Sequence, residues 1–311
     1  MTTRIPNVFH FVFGLRRQTE PFHLAFYLCL ESCWRVNRPD EILVYYHHEP
    51  YGRYWELAKR RVTPVRVPLG GVVEGFRYRD PAVAAFRYAH HADFVRLERL
   101  LAHGGIYADI DTIFVRPFPA HLREQRFVLG RERDVAPAGV DRPQRSLCNA
   151  VIMAEPNAEF GRRWLEAMPR AFDGSWSNHS TLLPQRLSEE HPELIHVEPP
   201  RTFYKHEWTR AGIRTLLQEL DDDTEGVVSM HLWSHLWWSR HRRDFSSFHA
   251  GRLTERYLAR VDTTYNIVAR RYLPAPLALR DRIRWRVRDL RHRPARDGLP
   301  RIGALPLLAE R

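Results

Sequence analysis

Lysine is almost missing from this chain of 311 residues, which holds only Lys59 and Lys205. All but two of its 48 basic residues are therefore arginines, a bias that partly marks a GC-rich genome and carries no functional sign of its own. Cysteine is scarce as well: Cys29, Cys33 and Cys148 are too few for a disulfide framework. Cys29 and Cys33 lie one helical turn apart in an apolar stretch and read as reduced core residues. No apolar run approaches the roughly 18 residues of a membrane span. The opening MTTRIPNVFHFVFG lacks the basic-then-apolar build of a signal peptide. Internal repeats and recognised nucleic-acid motifs are also missing, so no nucleic-acid partner is expected. Together these absences set the expectation of a cytoplasmic protein.

Hydrophobic residues make up 44% of the chain and aromatics 12%, which excludes a disordered polymer. The net charge of +11 favours anionic partners such as nucleotides, phospholipid head groups or acidic glycans.

Short apolar runs alternate with helical patterns through the first half. Strands are predicted at Val8–Phe13, Glu41–His47 and 63–68, and helices at Phe22–Asn37 and Tyr51–Arg61. A long helix from about Pro81 to His103 then leads into an apolar strand. This β-α-β-α rhythm predicts an α/β fold with a parallel, doubly wound sheet. In such sheets ligands bind beyond the carboxyl ends of the strands. Further strands are expected at RFVLGRE, SLCNAVIMAE and ELIHVEPP, and helices at Ala158–Arg170 and TLLPQRLSEEH. One catalytic domain over residues 1–250 and a helical, arginine-rich extension over 251–311 complete the expected organisation.

The segment LLAHGGIYADIDTIFVRPF sets Asp109 and Asp111 at the end of that apolar strand. If the strand continues, side-chain alternation puts Tyr107, Asp109 and Asp111 on one face. Two unpaired carboxylates at one point repel each other and lose hydration, and a divalent cation resolves both problems. Carboxylate oxygens suit Mg²⁺ or Mn²⁺, which take remaining ligands from water and substrate phosphates. A D-x-D alone is weak: Asp221 and Asp223 form another, read as a solvated turn. The first has support from the preceding helix. With Phe86 at the centre of its apolar face, Ala89, Leu97, Leu100 and Leu101 follow on that face, and so does Asp93, with Arg96 at the edge. A carboxylate there needs a partner, and an Asp93–Arg96 pair supplies one. Gly104 and Gly105 end the helix and turn the chain tightly.

Asp93, Arg96, Gly104, Gly105, Tyr107, Asp109, Asp111 and Pro117 stand in one frame. In that frame the chain resembles the donor-binding core of glycosyltransferases of the family-32 type, which carry a D-x-D sugar-binding region. These include initiating mannosyltransferases, capsular polysaccharide transferases and glucosylating clostridial toxins. The opening IPNVFHFVFG, the stretch SLCNAVIMAEPNAEF and the closing MHLWSHLWW extend the likeness over residues 4 to 240. NHSTLLPQRL departs from it. The resemblance implies a GT-A fold, a nucleotide-sugar-binding sheet with flanking helices, and retention of anomeric configuration. It also implies a UDP- or GDP-hexose donor, Asp93, Arg96, Gly104, Gly105 and Tyr107 at that donor, and a metal on Asp109 and Asp111 bridging its diphosphate.

Around this core, His231 in MHLWSHLWW is a candidate third ligand, and an imidazole would favour Mn²⁺ over Mg²⁺. His235 is a weaker candidate, and packing is the alternative for both. Trp233 would stack on a sugar or base, or simply pack. Asn149 would steady the oxocarbenium-like centre, and His179, grouped with the donor-binding residues, would help place the acceptor; a capping or turn role is the plain alternative for each. The acceptor is expected to be a glycan or a lipid-linked hydroxyl.

Two rivals remain at this level. In a phosphatase of the haloacid dehalogenase type, Asp109 would be the nucleophile and Lys205 with Asp221–Asp223 the later motifs. A non-catalytic basic binding module is the other. In the tail, Leu279, Ile283, Val287 and Leu290 share one helical face amid arginines. Packing of that face onto the domain is favoured, and contact of residues 278–296 with an anionic membrane at the inner membrane face is the alternative.

Overall fold

Among the described residues of the computed structural model, namely 4–136, 142–238 and 247–292, nine strands form two sheets. They are β1 (Val8–Val12), β2 (Glu41–Tyr46), β3 (Thr63–Arg66), β4 (Gly105–Ala108), β5 (Thr112–Phe114), β6 (Phe127–Arg131), β7 (Leu147–Ala154), β8 (His196–Glu198) and β9 (Ser229–His231). The main sheet has the order β3-β2-β1-β4-β7-β6-β8, and β5 with β9 forms a separate two-stranded ribbon. β3, β2, β1 and β4 run parallel, β7 pairs antiparallel with both β4 and β6, and β8 is again parallel to β6. The expected α/β architecture is therefore present, with a single reversed strand in the main sheet.

Alternation along the strands sorts side chains between two cores. Phe9, Phe11, Ile106 and Ala108 pack with the helix Leu24–Asn37 on one face. Val12, Tyr107, Ile152 and Leu129 pack with the helices Arg87–His103 and Glu159–Ala171 on the other. Because β7 is reversed, its first residues lie beside the carboxyl end of β4: Asp109 N–H donates to Ala150 O at 2.8 Å.

Three expectations need correction. The long helix is broken at Phe86 into Pro81–Ala84 and Arg87–His103. The strand ends at Ala108: Asp109–Asp111 form a turn, with Thr112 N–H bonded to Asp109 O at 3.0 Å, and the chain then enters the ribbon. Nor does the body end at residue 250. Leu258, Tyr265 and Val268 are buried in the same core as Phe9, and Tyr272 Oη donates to Phe114 O at 3.5 Å.

The tail helix Leu279–His292 corrects a fourth. Its apolar stripe does not pack inward, for Leu279, Ile283, Val287 and Leu290 are 73%, 55%, 46% and 60% exposed. The opposite side meets the body, where Arg288 lies 3.4 Å from Glu56 and Asp289 stands beside Gly52. Of the stretch expected at a membrane, residues 293–296 lie outside the described residues.

Candidate active site

The Gly104–Gly105 turn sets where β4 begins. Both residues have positive φ, +65° and +118°, where side chains with a Cβ are strained. A Cβ on Gly105 would stand 2.4 Å from Val8 O, and one on Gly104 would stand 2.7 Å from Pro156 Cδ. His10, the histidine of the opening strand, holds this turn: its Nε2 lies 2.8 Å from Gly104 O and its Nδ1 2.9 Å from the Tyr45 hydroxyl. A neutral ring with its proton on Nε2 satisfies both, donating to the carbonyl and accepting from Tyr45. The glycines thus occupy the opposite end of β4 from the carboxylates, where close backbone approach accounts for them.

At the carboxyl end, the Asp109–Asp111 turn and β9 bring three groups together. Ligand atoms of Asp109, Asp111 and His231 all lie within 4.8 Å of one another. His231 Nε2 is 2.9 Å from Asp111 Oδ1 and 3.6 Å from Asp109 Oδ2. The ribbon fixes this approach, since Thr112 pairs directly with His231 and Leu232 N–H donates to Asp111 O at 3.0 Å. Asp111 also accepts from Ser234 N–H at 2.8 Å. Burial opposes ionisation of Asp111, but His231 and the Ser234 donor outweigh it and hold the carboxyl below the usual range. Burial likewise opposes a charge on His231, and Asp111 followed by Asp109 raises its pKa despite that. For Asp109 burial wins, and its pKa is raised although Arg96 and His231 pull the other way.

Behind these ligands lies a second layer of buried charge. Arg96 reaches Asp93 Oδ1 at 3.2 Å and Asp109 Oδ1 at 3.3 Å, and donates to Asn149 O at 2.8 Å. Its guanidinium stands 4.6 Å from the centre of the Tyr107 ring, whose hydroxyl donates to Asp109 Oδ1 at 2.5 Å. Asp93 takes the Asn149 amide at 2.8 Å on one oxygen and His179 Nε2 at 2.9 Å on the other. The sequence reading saw the Asp93–Arg96 pair but missed the role of Asn149 and His179 as its partners. Both are held on Asp93, and His179 is fully buried.

Trp233 is buried behind His231, with ring centroids 4.1 Å apart, and its indole N–H donates to His206 O. His235 stacks on Trp176, with ring centroids 4.8 Å apart. Glu132 also went unnoticed in the sequence: it is buried and accepts from Ser146 Oγ at 2.6 Å. The second D-x-D lies in a loop, with Asp221 half-buried and Asp223 exposed to solvent as expected. Asp221 holds Lys205 and His206 at 2.8 and 3.1 Å, and Asp223 holds Arg201 at 2.6 Å.

The donor set fits a divalent cation of intermediate hardness, with two carboxylates and one imidazole converging from two chain segments. His231 Nδ1 has no hydrogen-bond partner among the described residues. The ring is oriented by Trp233 instead of by the outer hydrogen bond common at metal-bound histidines.

Residues 74–128 match the family described as glycosyltransferase sugar-binding region containing DXD motif. This segment is similar to a sugar-binding region that carries a D-x-D. It spans Asp93, Arg96, Tyr107, Asp109 and Asp111, the residues just placed around one point. The chain is also 29% identical over 241 residues to glucan organizing enzyme 1 of Cryptococcus neoformans var. grubii serotype A. That match covers 75% of this chain and 63% of the relative, so the chain spans less than two thirds of the relative's length. Among solved structures it is similar to the PaToxG glycosyltransferase, at 20% identity and a TM-score of 0.39. There the overlap covers 60% of this chain and 70% of the other.

Proposed function

We propose that this protein is a metal-dependent glycosyltransferase that moves a hexose from a UDP- or GDP-sugar to a hydroxyl of a glycan or lipid-linked acceptor. The observation that carries the reading is the convergence of Asp109, Asp111 and His231. Its two aspartates lie inside the matched segment, His231 joins them from outside it, and all three sit at the carboxyl edge of a mostly parallel sheet, the side where such sheets bind ligands. Retention of configuration rests on the family resemblance. The three free, buried cysteines suit a reducing compartment and support a cytoplasmic setting.

Transfer breaks the bond between the anomeric carbon and a phosphate oxygen, so negative charge grows on a departing diphosphate. Asp109, Asp111 and His231 would hold Mn²⁺, or Mg²⁺, which when bound supplies Lewis-acid stabilisation of that charge. Arg96 places a fixed positive charge between Asp93 and Asp109 and offsets part of their negative charge whether or not the site is loaded. Tyr107 donates to one oxygen of Asp109, leaving the other turned toward His231. Asn149 and His179 lock Asp93, so any hydroxyl it receives meets a carboxylate of fixed orientation.

The phosphatase reading loses its support from the later motifs. Lys205, which would have to neutralise a phosphorylated Asp109, is ion-paired to Asp221 and Asp223 at 2.8 and 3.4 Å. A binding module gives no reason to gather three carboxylates, two of them buried, around one arginine and one histidine.

Calorimetric titration with UDP, GDP and their hexose conjugates, with and without Mn²⁺, tests the proposal. Metal-dependent binding of one nucleotide, lost in Asp111→Asn, is the expected result. A folded protein that binds none of them would refute the reading.

A further inference from the structure

The tail helix Leu279–His292 presents to solvent the side that a helix on a globular body normally buries. At 3.6 residues per turn, Leu279, Ile283, Val287 and Leu290 fall within about 40° of one line. Arg280 and Arg284 flank that line on one side, Arg286 and Arg282 on the other, at about 60° and 100°. Asp281 and Asp289, the only acids of the helix, fall on the far side with Trp285, toward the body. Arg288 lies over the Trp285 ring at 4.9 Å and reaches Glu56, tying that far side down. The helix is thus anchored by its mixed face and carries an apolar ridge between two rows of arginine, outward.

We propose that this ridge is a docking surface for an anionic lipid bilayer. Four aliphatic side chains would enter the boundary between head groups and acyl chains, while the flanking arginines extend sideways to lipid phosphates. Charge selects this occupant over two others. A second copy of the ridge would bring two double rows of arginine face to face. The chain's own residues 293–311 carry four arginines against Asp297 and Glu310, a net positive segment, and include Pro294, Pro300 and Pro306. Neither complements the arginine rows, whereas an anionic leaflet does. The surface is independent of the donor site and of the transfer reading.

Cosedimentation of the full chain with vesicles tests it, using phosphatidylcholine alone and phosphatidylcholine with about a third phosphatidylglycerol. The protein should bind the anionic vesicles only and leave them as salt rises. I283E/V287E alters two exposed positions, so its thermal melt should match the wild type while vesicle affinity falls at least about 10-fold. R284E/R286E should lose binding as well, and Asp111→Asn should bind as the wild type does. Absence of binding by the full chain, or equal binding by I283E/V287E, would overturn the proposal. So would a dimer in sedimentation velocity that I283E/V287E dissociates without any vesicle binding, because a second copy would then cover the ridge.

Discussion

Arg96 stands between Asp93 and Asp109, 3.2 Å from the first and 3.3 Å from the second, with all three side chains largely withdrawn from water. A single guanidinium therefore bridges one carboxylate at the base of the site and one at its edge beside His231.

Removing that charge should be costly. Arg96→Met leaves two carboxylates without their cation and is expected to destabilise the fold by about 3–5 kcal/mol. Urea midpoints measure this. Added Mn²⁺, by neutralising Asp109, should stabilise the variant more than the wild type; a loss below about 1 kcal/mol would contradict the bridge described here.

His231 should set which metal binds. Replacing its imidazole by a carboxylate in His231→Asp hardens the donor set and should move preference from Mn²⁺ toward Mg²⁺. The ratio of the two dissociation constants reads this directly. An unchanged ratio would place His231 outside the coordination sphere.

The glycine turn offers a test of backbone approach. Gly105→Ala directs a Cβ at a main-chain carbonyl, whereas Gly104→Ala meets the ring of Pro156. Both positions have positive φ, so each substitution should exceed about 1 kcal/mol. Gly105→Ala should be the worse, as a backbone oxygen has less freedom to move. Chemical denaturation of the two variants ranks them, and the reverse order would show that the β1–β4 contact yields more easily than the proline.

Two buried groups should give opposing pH dependences. Burial brings His10 down from 6.5 to about 4, so its contribution is present above pH 6.5 and is lost as pH falls toward 4. Burial pushes Glu132 up from 4.5 to about 7 despite its bond from Ser146, so its contribution is lost as pH rises from 4.5 to 7. Glu132→Gln should therefore stabilise the protein at pH 8, by up to about 3 kcal/mol, with no gain near pH 4.5. His10→Gln should flatten the acid limb. Urea midpoints across this range measure both, and a Glu132→Gln difference independent of pH would show that the carboxyl titrates normally.

The sequence made the polar pair on the helix and the two aspartates legible because local periodicity places them. Its reason for their convergence was nevertheless wrong. Strand alternation does not align Asp109 with Asp111; a turn does, because the chain leaves β4 at Ala108 to join a different sheet. Alternation cannot reveal where a strand changes partners. The bonds of His179 and Asn149 to Asp93 span 86 and 56 residues, and only the finished sheet brings those positions together. In the tail the period of the apolar stripe was visible, but its direction was not. The inward rule failed there because Arg288 and Asp289 attach the other face.

The ribbon of β5 and β9 has a consequence for how freely this chain can vary. His231 is 120 residues from Asp111, yet Thr112 and His231 are direct partners in one ladder. A shift of one residue would turn His231 to the other face and offer Met230 in its place. Register, rather than distance along the chain, is thus what closes the cup of ligands. Insertions in the loops between β5 and β9 can reshape the rim of the site while leaving that ladder intact, so its surroundings and the geometry of Asp111 and His231 are free to diverge at separate rates.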